Sequence, residues 1–242
     1  INHFLSFIKK NNIHLLNKSD ILLVNTSSIG LTLGLLKSIG ILKKPVLFFV
    51  MGLLPYNSNF RNVFYRFLLK DVHLACISKC EKEYLERNFR QENLSYIPFG
   101  VDIEFWHPSQ ENTYDKKYVL AIGNDYARDW QTLIDSWDFN FPTLKLVTNL
   151  PISTNKKNIK IIRGSWEKQS LSDLDIKKLY LNSFYVIIPL KDTIQPSGQS
   201  CCLQAMACGK PVIMSNIKGI WDKNLLVNKE NILLVEPNSV TD

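Results

Sequence analysis

Short apolar runs that do not alternate with polar residues recur along the whole chain. They are rich in Val, Ile and Leu, a pattern typical of strands that are buried on both faces of a parallel sheet. The pattern predicts strands at residues 21–24, 46–50, 73–78, 94–100, 118–123, 144–148, 159–164, 185–190, 211–215 and 232–237.

Segments with a helical spacing of apolar residues lie between these runs, at residues 29–40, 60–69, 80–89, 130–137, 172–181 and 200–208. Strands that alternate with helices form βα units, so the pattern indicates an α/β fold with doubly wound parallel sheets. The polar segment 107–117, which contains Pro108, separates two such series. We therefore expect two domains, 1–107 and 108–242, that face a cleft and bind ligands at the carboxyl ends of their strands.

The composition favours a globular protein with a basic surface. Of the 242 residues 45% are hydrophobic, and 29 Lys and Arg against 22 Asp and Glu give a formal charge of +7. Such an excess suits a phosphate-bearing ligand, an anionic membrane surface or nucleic acid, and it is also compatible with an ordinary solvated basic face. No nucleic-acid-binding motif accompanies the charge, so we expect no nucleic acid partner.

Cysteine usage and hydropathy bear on the compartment. The five cysteines are odd in number and include no pair of CxxC motifs, which argues against a zinc site. Free cysteines favour a reducing compartment, so we expect a cytoplasmic protein. Lysines and Pro45 interrupt the most apolar region, residues 21–54, and no clean run of about 20 apolar residues remains that could span a membrane.

The polar loop before the last predicted helix is the main candidate for chemistry. It contains Ser197, Gly198, Gln199 and Ser200, and the helix ends at Gly209. The amino end of a helix offers free N–H groups and a positive dipole end, which bind anions. Gly198 would let a ligand approach the backbone closely. A second interpretation stays open, in which Ser197 or Ser200 is a plain N-cap.

Gln204 is a polar residue one turn inside this otherwise small and apolar helix. It shares a face with Cys201, Ala205 and Cys208 at helical spacing. A buried amide needs hydrogen-bond partners. Those partners could be the neighbouring backbone or the hydroxyl groups of a ligand, and the sequence leaves both open.

Four segments resemble one enzyme family in the family's own order. "LQAMACGKPVIMSN" (203–216), with Gly219, Asn231 and "LV" at 234–235 beyond it, looks like the pattern Leu-Glu-Ala-Met-Ala-x-Gly-x-Pro-Val-Ile of the retaining GT-B glycosyltransferases of family 4. "YIPFGVDIEFWHP" (96–108), "VLAIGNDYARDWQTLIDSW" (119–137) and "ACISKCEKEYL" (75–85) are similar to further segments of that family. The resemblance implies an acceptor-side Rossmann-like domain at 1–107 and a donor-binding one at 108–242. Each is expected to be incomplete at its outer end.

The resemblance also implies a site for the donor. Arg128 and the segment Ser197, Gly198, Gln199 and Ser200 would hold the diphosphate and sugar, and Gln204 the ribose. The base would lie in the segment from Arg163 to Trp166, near Arg163 and Gly164. Arg128 could equally pair with a neighbouring Asp. No metal or other cofactor is implied, and no catalytic residue is assigned.

Three positions depart from the family pattern. Its two glutamates fall on Pro196 and Gln204, and its usual histidine falls on Met51. Pro196 cannot replace a carboxylate, whereas Gln204 keeps hydrogen-bonding capacity without charge. An alternative is therefore a weakened nucleotide-sugar-binding scaffold or pseudoenzyme.

The function implied is the transfer of a hexosyl group from a nucleotide-diphosphate sugar to a saccharide or lipid-linked acceptor, as in polysaccharide biosynthesis. Residues 60–73 form a basic, aromatic segment with helical spacing. Such a segment either packs in the core or contacts a membrane interface. The second interpretation would place the enzyme peripherally on the inner face of the membrane.

Overall fold

The computed structural model describes residues 10–53, 59–89, 93–108, 117–164 and 171–241. The chain divides into two compact units, Ile1–Pro98 and Phe99–Asp242. Within the described ranges, no helix combines the length and the apolar character that a membrane span requires.

The first unit is a four-stranded parallel sheet with its helices. The elements follow in the order α1 (Lys10–Lys18), β1 (Leu22–Val24), α2 (Ser27–Ser38), β2 (Val46–Val50), α3 (Asn59–Leu69), β3 (His73–Cys76), α4 (Lys79–Phe89) and β4 (Leu94–Tyr96). The strand order is β1-β2-β3-β4. Phe48 and Leu74, on neighbouring central strands, are fully buried, which explains why these runs show no polar alternation.

The second unit is a six-stranded parallel sheet. Its elements are β5 (Tyr118–Ile122), α5 (Trp130–Ser136), β6 (Leu144–Val147), β7 (Ile159–Ile162), α6 (Asp173–Leu181), β8 (Ser183–Ile188), α7 (Gln199–Ala207), β9 (Val212–Ser215) and β10 (Leu233–Val235). Apolar clusters cover both faces of this sheet: one includes Leu120 and Ile188, the other Val119 and Leu146.

The strand order of the second sheet is β10-β9-β8-β5-β6-β7. The chain builds outward from β5 in one direction through β6 and β7, and then returns to place β8 on the other side of β5. This is the Rossmann order, and the reversal between β5 and β8 is its topological switch point. Ligands of such sheets bind outside the carboxyl ends of the strands at this point.

The predicted strands and helices are confirmed, with ends that shift by a few residues. Helix α1 was not predicted, because its sequence KNNIHLLNK is mostly polar and its three apolar residues define only a narrow face. Its bounds place it directly before β1, and Asn17 within it donates to Ile41 O at 3.0 Å.

The division between the two units falls earlier in the chain than the boundary expected after residue 107. The segment 99–108 associates with the second unit, because Trp106 is buried in that unit's core. The indole stacks edge to face on Tyr180, with ring centroids 5.8 Å apart. The polar segment 107–117 therefore comes after the point where the two units divide and does not mark the boundary itself.

Candidate functional site

Two loops meet at the switch point of the second sheet. One follows β5 and the other follows β8, and backbone hydrogen bonds join them: Asp129 N donates to Pro189 O at 3.0 Å, and Lys191 N to Ala127 O at 2.8 Å. Asp129 also caps α5 through its side chain, which accepts from Thr132 N. These bonds fix the position of Arg128, which lies between them.

Arg128 is buried, with 4% of its surface exposed. Its Nε lies 3.2 Å from Asp125 Oδ2, within ion-pair distance but outside hydrogen-bond geometry. Its Nη2 donates to Cys201 Sγ at 3.4 Å. Its Nη1 has no hydrogen-bond partner among the described residues. A buried cation with an unsatisfied donor is costly, so this side chain needs a partner that the described residues do not supply.

Two glycines make room for the guanidinium. A Cβ added at Gly123 would lie 1.9 Å from Arg128 Nε. At Gly198, where φ is +82°, an added Cβ would lie 3.2 Å from Arg128 Nη1 and 2.8 Å from Ile188 Cγ2. Gly198 therefore serves both the left-handed turn and the close approach of the arginine to the start of α7.

The residue that caps the amino end of α7 is a glycine, which has no side chain to bond the first N–H groups. Gly198 is the N-cap, and no side-chain cap bond is present in this part of the described chain. The interpretation of Ser197 or Ser200 as the N-cap is therefore wrong. Ser197 is buried and donates through Oγ to Asp125 Oδ1 at 2.7 Å, whereas Ser200 lies within the helix. The first N–H groups of α7 remain available to an anion.

Asp125 connects the two loops. Its Oδ1 accepts from Ser197 Oγ and from Ala127 N at 3.1 Å, and its Oδ2 faces Arg128. Of the two alternatives considered for Arg128, the pair with a neighbouring Asp is confirmed, and the contact with a diphosphate stays a prediction. The arginine does pair with a neighbouring Asp, yet the pairing leaves Nη1 unsatisfied.

A cavity of about 250 Å³ lies in front of these groups. Its lining residues are Ile122, Gly123, Asn124, Asp125, Arg128, Val147, Gly164, Leu171, Ile176, Ser200, Cys201 and Gln204. It therefore brings together four of the predicted site residues: Arg128 from the end of β5, Gly164 from the end of β7, and Ser200 and Gln204 from α7.

The two glutamines of α7 are placed differently. Gln204 Oε1 accepts from Tyr180 Oη at 3.2 Å, which is neither of the two partners considered from the sequence. Burial, followed by the neighbouring Cys201, raises the pKa of Tyr180 well above its usual value, so the phenol keeps its proton and donates. Gln204 also lines the cavity, and its amide nitrogen is a potential donor. Gln199 is buried, and its Nε2 has no partner among the residues described.

Residues predicted near a nucleotide base separate in the structure. Gly164 lines the cavity, and its carbonyl accepts from Asn124 Nδ2 at 3.0 Å. Arg163 does not line the cavity, and its guanidinium donates to the backbone carbonyls of Leu150 and Ile152. Its contact with a base stays a prediction. Residue 166, also considered there, lies outside the described residues.

Asn124 was not singled out for a role by the sequence, yet it organises this end of the sheet. Its Oδ1 accepts from Asn149 N at 2.6 Å and from Thr148 Oγ1 at 3.2 Å, while its Nδ2 holds Gly164. One side chain thus fixes the ends of β5, β6 and β7 together. The sequence signal for this role is an Asn that follows a strand and the Gly at its end.

A second cavity of about 290 Å³ lies on the opposite face of the same sheet. Its walls are largely apolar and include Leu133, Trp137, Ile187 and Val235. Asp129 and Pro189 line it, so it reaches the switch point from the other face, but Arg128 does not line it. We therefore place the candidate site in the cavity beside Arg128.

Glu81 is a buried charged residue of the first unit that the sequence analysis missed. It is fully buried, and its Oε1 accepts from Gly52 N at 3.0 Å and Leu53 N at 2.8 Å, directly after β2. Burial raises the pKa of Glu81 to about 7 against the lowering effect of these hydrogen bonds. The available signal was Ser78-x-x-Glu81, which indicates a capping box. Ser78 Oγ does accept from Glu81 N, but the Glu81 carboxyl group binds the loop after β2 instead.

Comparisons with known proteins give the fold and no family. No family model and no curated protein matches the sequence. Among solved structures, a glycosyltransferase from Rickettsia africae ESF-5 matches over 99% of this chain and 67% of its own, with 16% identity and a TM-score of 0.71. Anabaena HepE in complex with UDP and glucose matches over 95% of this chain and 68% of its own, with 17% identity and a TM-score of 0.73. The trehalose-6-phosphate synthase OtsA matches over 99% of this chain and 65% of its own, with 10% identity and a TM-score of 0.69.

The chain has the GT-B fold. The predicted class, with two Rossmann-like parallel-sheet domains, is confirmed by these neighbours and by the two sheets. The chain spans about two thirds of the length of the proteins it matches.

Proposed function

We propose that this chain takes part in glycosyl transfer from a nucleoside diphosphate sugar to a saccharide or lipid-linked acceptor, without a metal ion. The observation that carries the proposal is the buried Arg128 guanidinium, whose Nη1 has no partner in the described structure and lies beside the uncapped amino end of α7. An arginine fork and free helix amides together suit a phosphate group.

The chemistry follows from the charge on the leaving group. When the bond from sugar C1 to the diphosphate breaks, negative charge develops on the phosphate oxygens. Arg128 and the N–H groups of Gln199, Ser200 and Cys201 would stabilise that charge where it appears, without reorganisation. These fixed donors are the reason for proposing that no metal is needed.

Two further parts of the cavity would bind the ribose and the base of the nucleotide. Gln204, held by Tyr180, would bind the ribose hydroxyl groups, and the Gly164 side of the cavity would receive the base. The structure of HepE with UDP and glucose supports uridine diphosphate as the first nucleotide to test. A hexosyl donor is proposed on the same grounds.

Titration of the full chain with UDP, GDP and ADP tests the proposal. In buffer containing EDTA we expect UDP to bind the wild type, and the Arg128→Met and Gln204→Ala variants each to bind at least tenfold more weakly, about 1.4 kcal/mol. Arg87→Ala removes an exposed arginine of the first unit and serves as the charge control. No UDP binding by the folded wild type, or equal binding by all three variants, would refute the site.

A binding scaffold without turnover is the second candidate. Its support is that Asp125, the carboxylate on the cavity wall, is already engaged by Arg128 and Ser197, while the buried Pro196 contributes no acid–base group. Release of UDP from UDP-sugars, with and without added saccharides, separates the two candidates. Binding without release in every combination would favour the scaffold.

The proposed membrane contact rests on α3. Val63, Phe64 and Phe67 on this helix are exposed by 64%, 48% and 47%, next to the basic Arg66 and Lys70. Core packing accounts for Leu68 and Leu69 but not for these three side chains. Basic residues beside exposed aromatic rings suit an anionic interface.

Sedimentation with phosphatidylglycerol vesicles tests this contact. We expect the Phe64→Ser, Phe67→Ser double variant to lose several-fold in bound fraction. Leu15→Ser removes an apolar residue of α1 that is more exposed than either phenylalanine, and it should leave binding unchanged. Equal loss in both variants, or no binding by the wild type, would reject the α3 contact.

A further inference from the structure

The five cysteines lie in very different environments. Cys76, Cys202 and Cys208 are buried, and burial raises the pKa of these thiols to about 12, 12 and 11. Such thiols stay protonated and shielded from reagents. Cys80 is half-buried on α4 of the first unit. Cys201 is half-buried as well, but it lines the cavity at the switch point.

The surroundings of Cys201 suit a nucleophilic sulfur. Arg128 Nη2 donates to its Sγ at 3.4 Å, and Cys201 is the third residue of α7, within the turn whose N–H groups are free. Reactive cysteines are found beside basic side chains and at helix amino ends. The Nη1 of the same buried arginine has no partner among the described residues, so this corner offers a donor that a ligand could meet.

We propose that Cys201 is a modification site that reacts with low-molecular-weight disulfides and thereby closes the nucleotide site. The Cys201 thiolate attacks one sulfur of the disulfide, and a new S–S bond joins that sulfur to Sγ. The original S–S bond breaks, and the second sulfur leaves as a thiolate that takes up the proton released by Cys201. The closing effect rests on the proposed function, whereas the reaction itself does not.

The adduct blocks the site for two reasons. Even a small thiol substituent occupies much of a cavity of about 250 Å³. It is also attached within hydrogen-bond reach of Arg128, so it covers the guanidinium that the diphosphate would need. A reducing agent removes the substituent and reopens the site, which makes the modification reversible.

The test is the rate of labelling at each cysteine. The folded full chain is treated with hydroxyethyl disulfide, quenched over time and mapped by peptide mass spectrometry. We expect Cys201 to react at least tenfold faster than Cys80, the half-buried control. Cys201→Ser should abolish the fast phase and Cys80→Ser should keep it, while Arg128→Met should slow Cys201 towards the rate of Cys80.

UDP separates this inference from the proposed function. Fast labelling that saturating UDP suppresses, together with loss of UDP binding after labelling and its return with dithiothreitol, supports both. Fast labelling without any UDP binding supports the modification site and overturns the nucleotide proposal. Labelling of Cys201 no faster than that of Cys80 overturns the modification site, whatever UDP does.

Discussion

Glu81 in the first unit and Arg128 in the second are both buried charged side chains at the carboxyl end of a parallel sheet, yet their needs are met in opposite ways. Glu81 is fully buried and accepts from two backbone amides that follow β2. Arg128 is almost as deeply buried, but its Nη1 donates to nothing among the described residues.

The difference distinguishes a structural charge from a functional one. The chain itself supplies the partners of Glu81, so that carboxyl group holds the loop at Gly52 and Leu53 in place. The described residues supply Arg128 with an incomplete set, because Asp125 lies only within ion-pair distance of Nε and nothing among them accepts from Nη1. Burial alone therefore does not single out a binding site, whereas a buried charge with an unsatisfied donor beside a cavity singles out a candidate.

The largest effect we expect is the loss of stability on Glu81→Ala. The substitution leaves two buried amides without an acceptor and creates a cavity, so the free energy of unfolding should fall by about 3 kcal/mol. Urea denaturation followed by circular dichroism measures the change. Glu83→Ala, in an exposed pair with Arg87 on the same helix, should change it by less than about 0.5 kcal/mol. Similar effects of the two substitutions would remove the structural role of Glu81.

A smaller effect is expected in the pH dependence of stability. Burial raises the pKa of Glu81 to about 7 in the folded chain, above the usual 4.5 of the unfolded chain. The folded state therefore binds the proton more tightly, and the stability this provides is fully present below the unfolded pKa and is lost as pH rises through about 7. Glu81→Gln keeps the accepting oxygen and removes the titration.

We accordingly expect wild type to lose about 1 kcal/mol or more relative to Glu81→Gln between pH 5 and pH 8. Denaturant midpoints of both proteins at each pH provide the measurement, with Glu86→Gln as a control at an exposed ion pair. Parallel pH profiles for wild type and Glu81→Gln would show that Glu81 titrates in its ordinary range.

The sequence predicted these two regions to different depths. Apolar runs identified the strands because each central strand is buried on both faces, and helical spacing located the helices between them. Helix α1 escaped because its sequence is mostly polar and contains only three apolar residues. At the candidate site, the resemblance drew attention to four residues that line one cavity: Arg128, Gly164, Ser200 and Gln204.

The contacts between loops could not be read from the chain order. Ser197 meets Asp125 because β8 returns to lie beside β5, and a strand order is not encoded in any local pattern. Glu81 was missed for a related reason. Its spacing from Ser78 has a local explanation as a capping box, and only the folded sheet shows that its carboxyl group instead reaches Gly52 and Leu53.

Arg128→Met is expected to change the free energy of unfolding least, and it tests the difference between Arg128 and Glu81 most directly. Arg128→Met keeps a long side chain but removes a buried cation that the described structure only partly satisfies, while Asp125 remains partly in contact with solvent. Replacement of an imperfectly paired buried charge by an apolar side chain is often neutral or stabilising. We expect the free energy of unfolding to stay the same or to rise by about 1 kcal/mol, although UDP binding falls.

Gain or retention of stability with loss of binding is the signature of a residue that serves a ligand at the expense of the fold. Urea denaturation without nucleotide measures the first quantity and titration with UDP the second, with Arg87→Ala as the exposed control in both. A loss of stability as large as that of Glu81→Ala, with UDP affinity unchanged, would mean that Arg128 is a structural charge of the same kind as Glu81. The proposal that the cavity beside it binds a diphosphate would then be rejected.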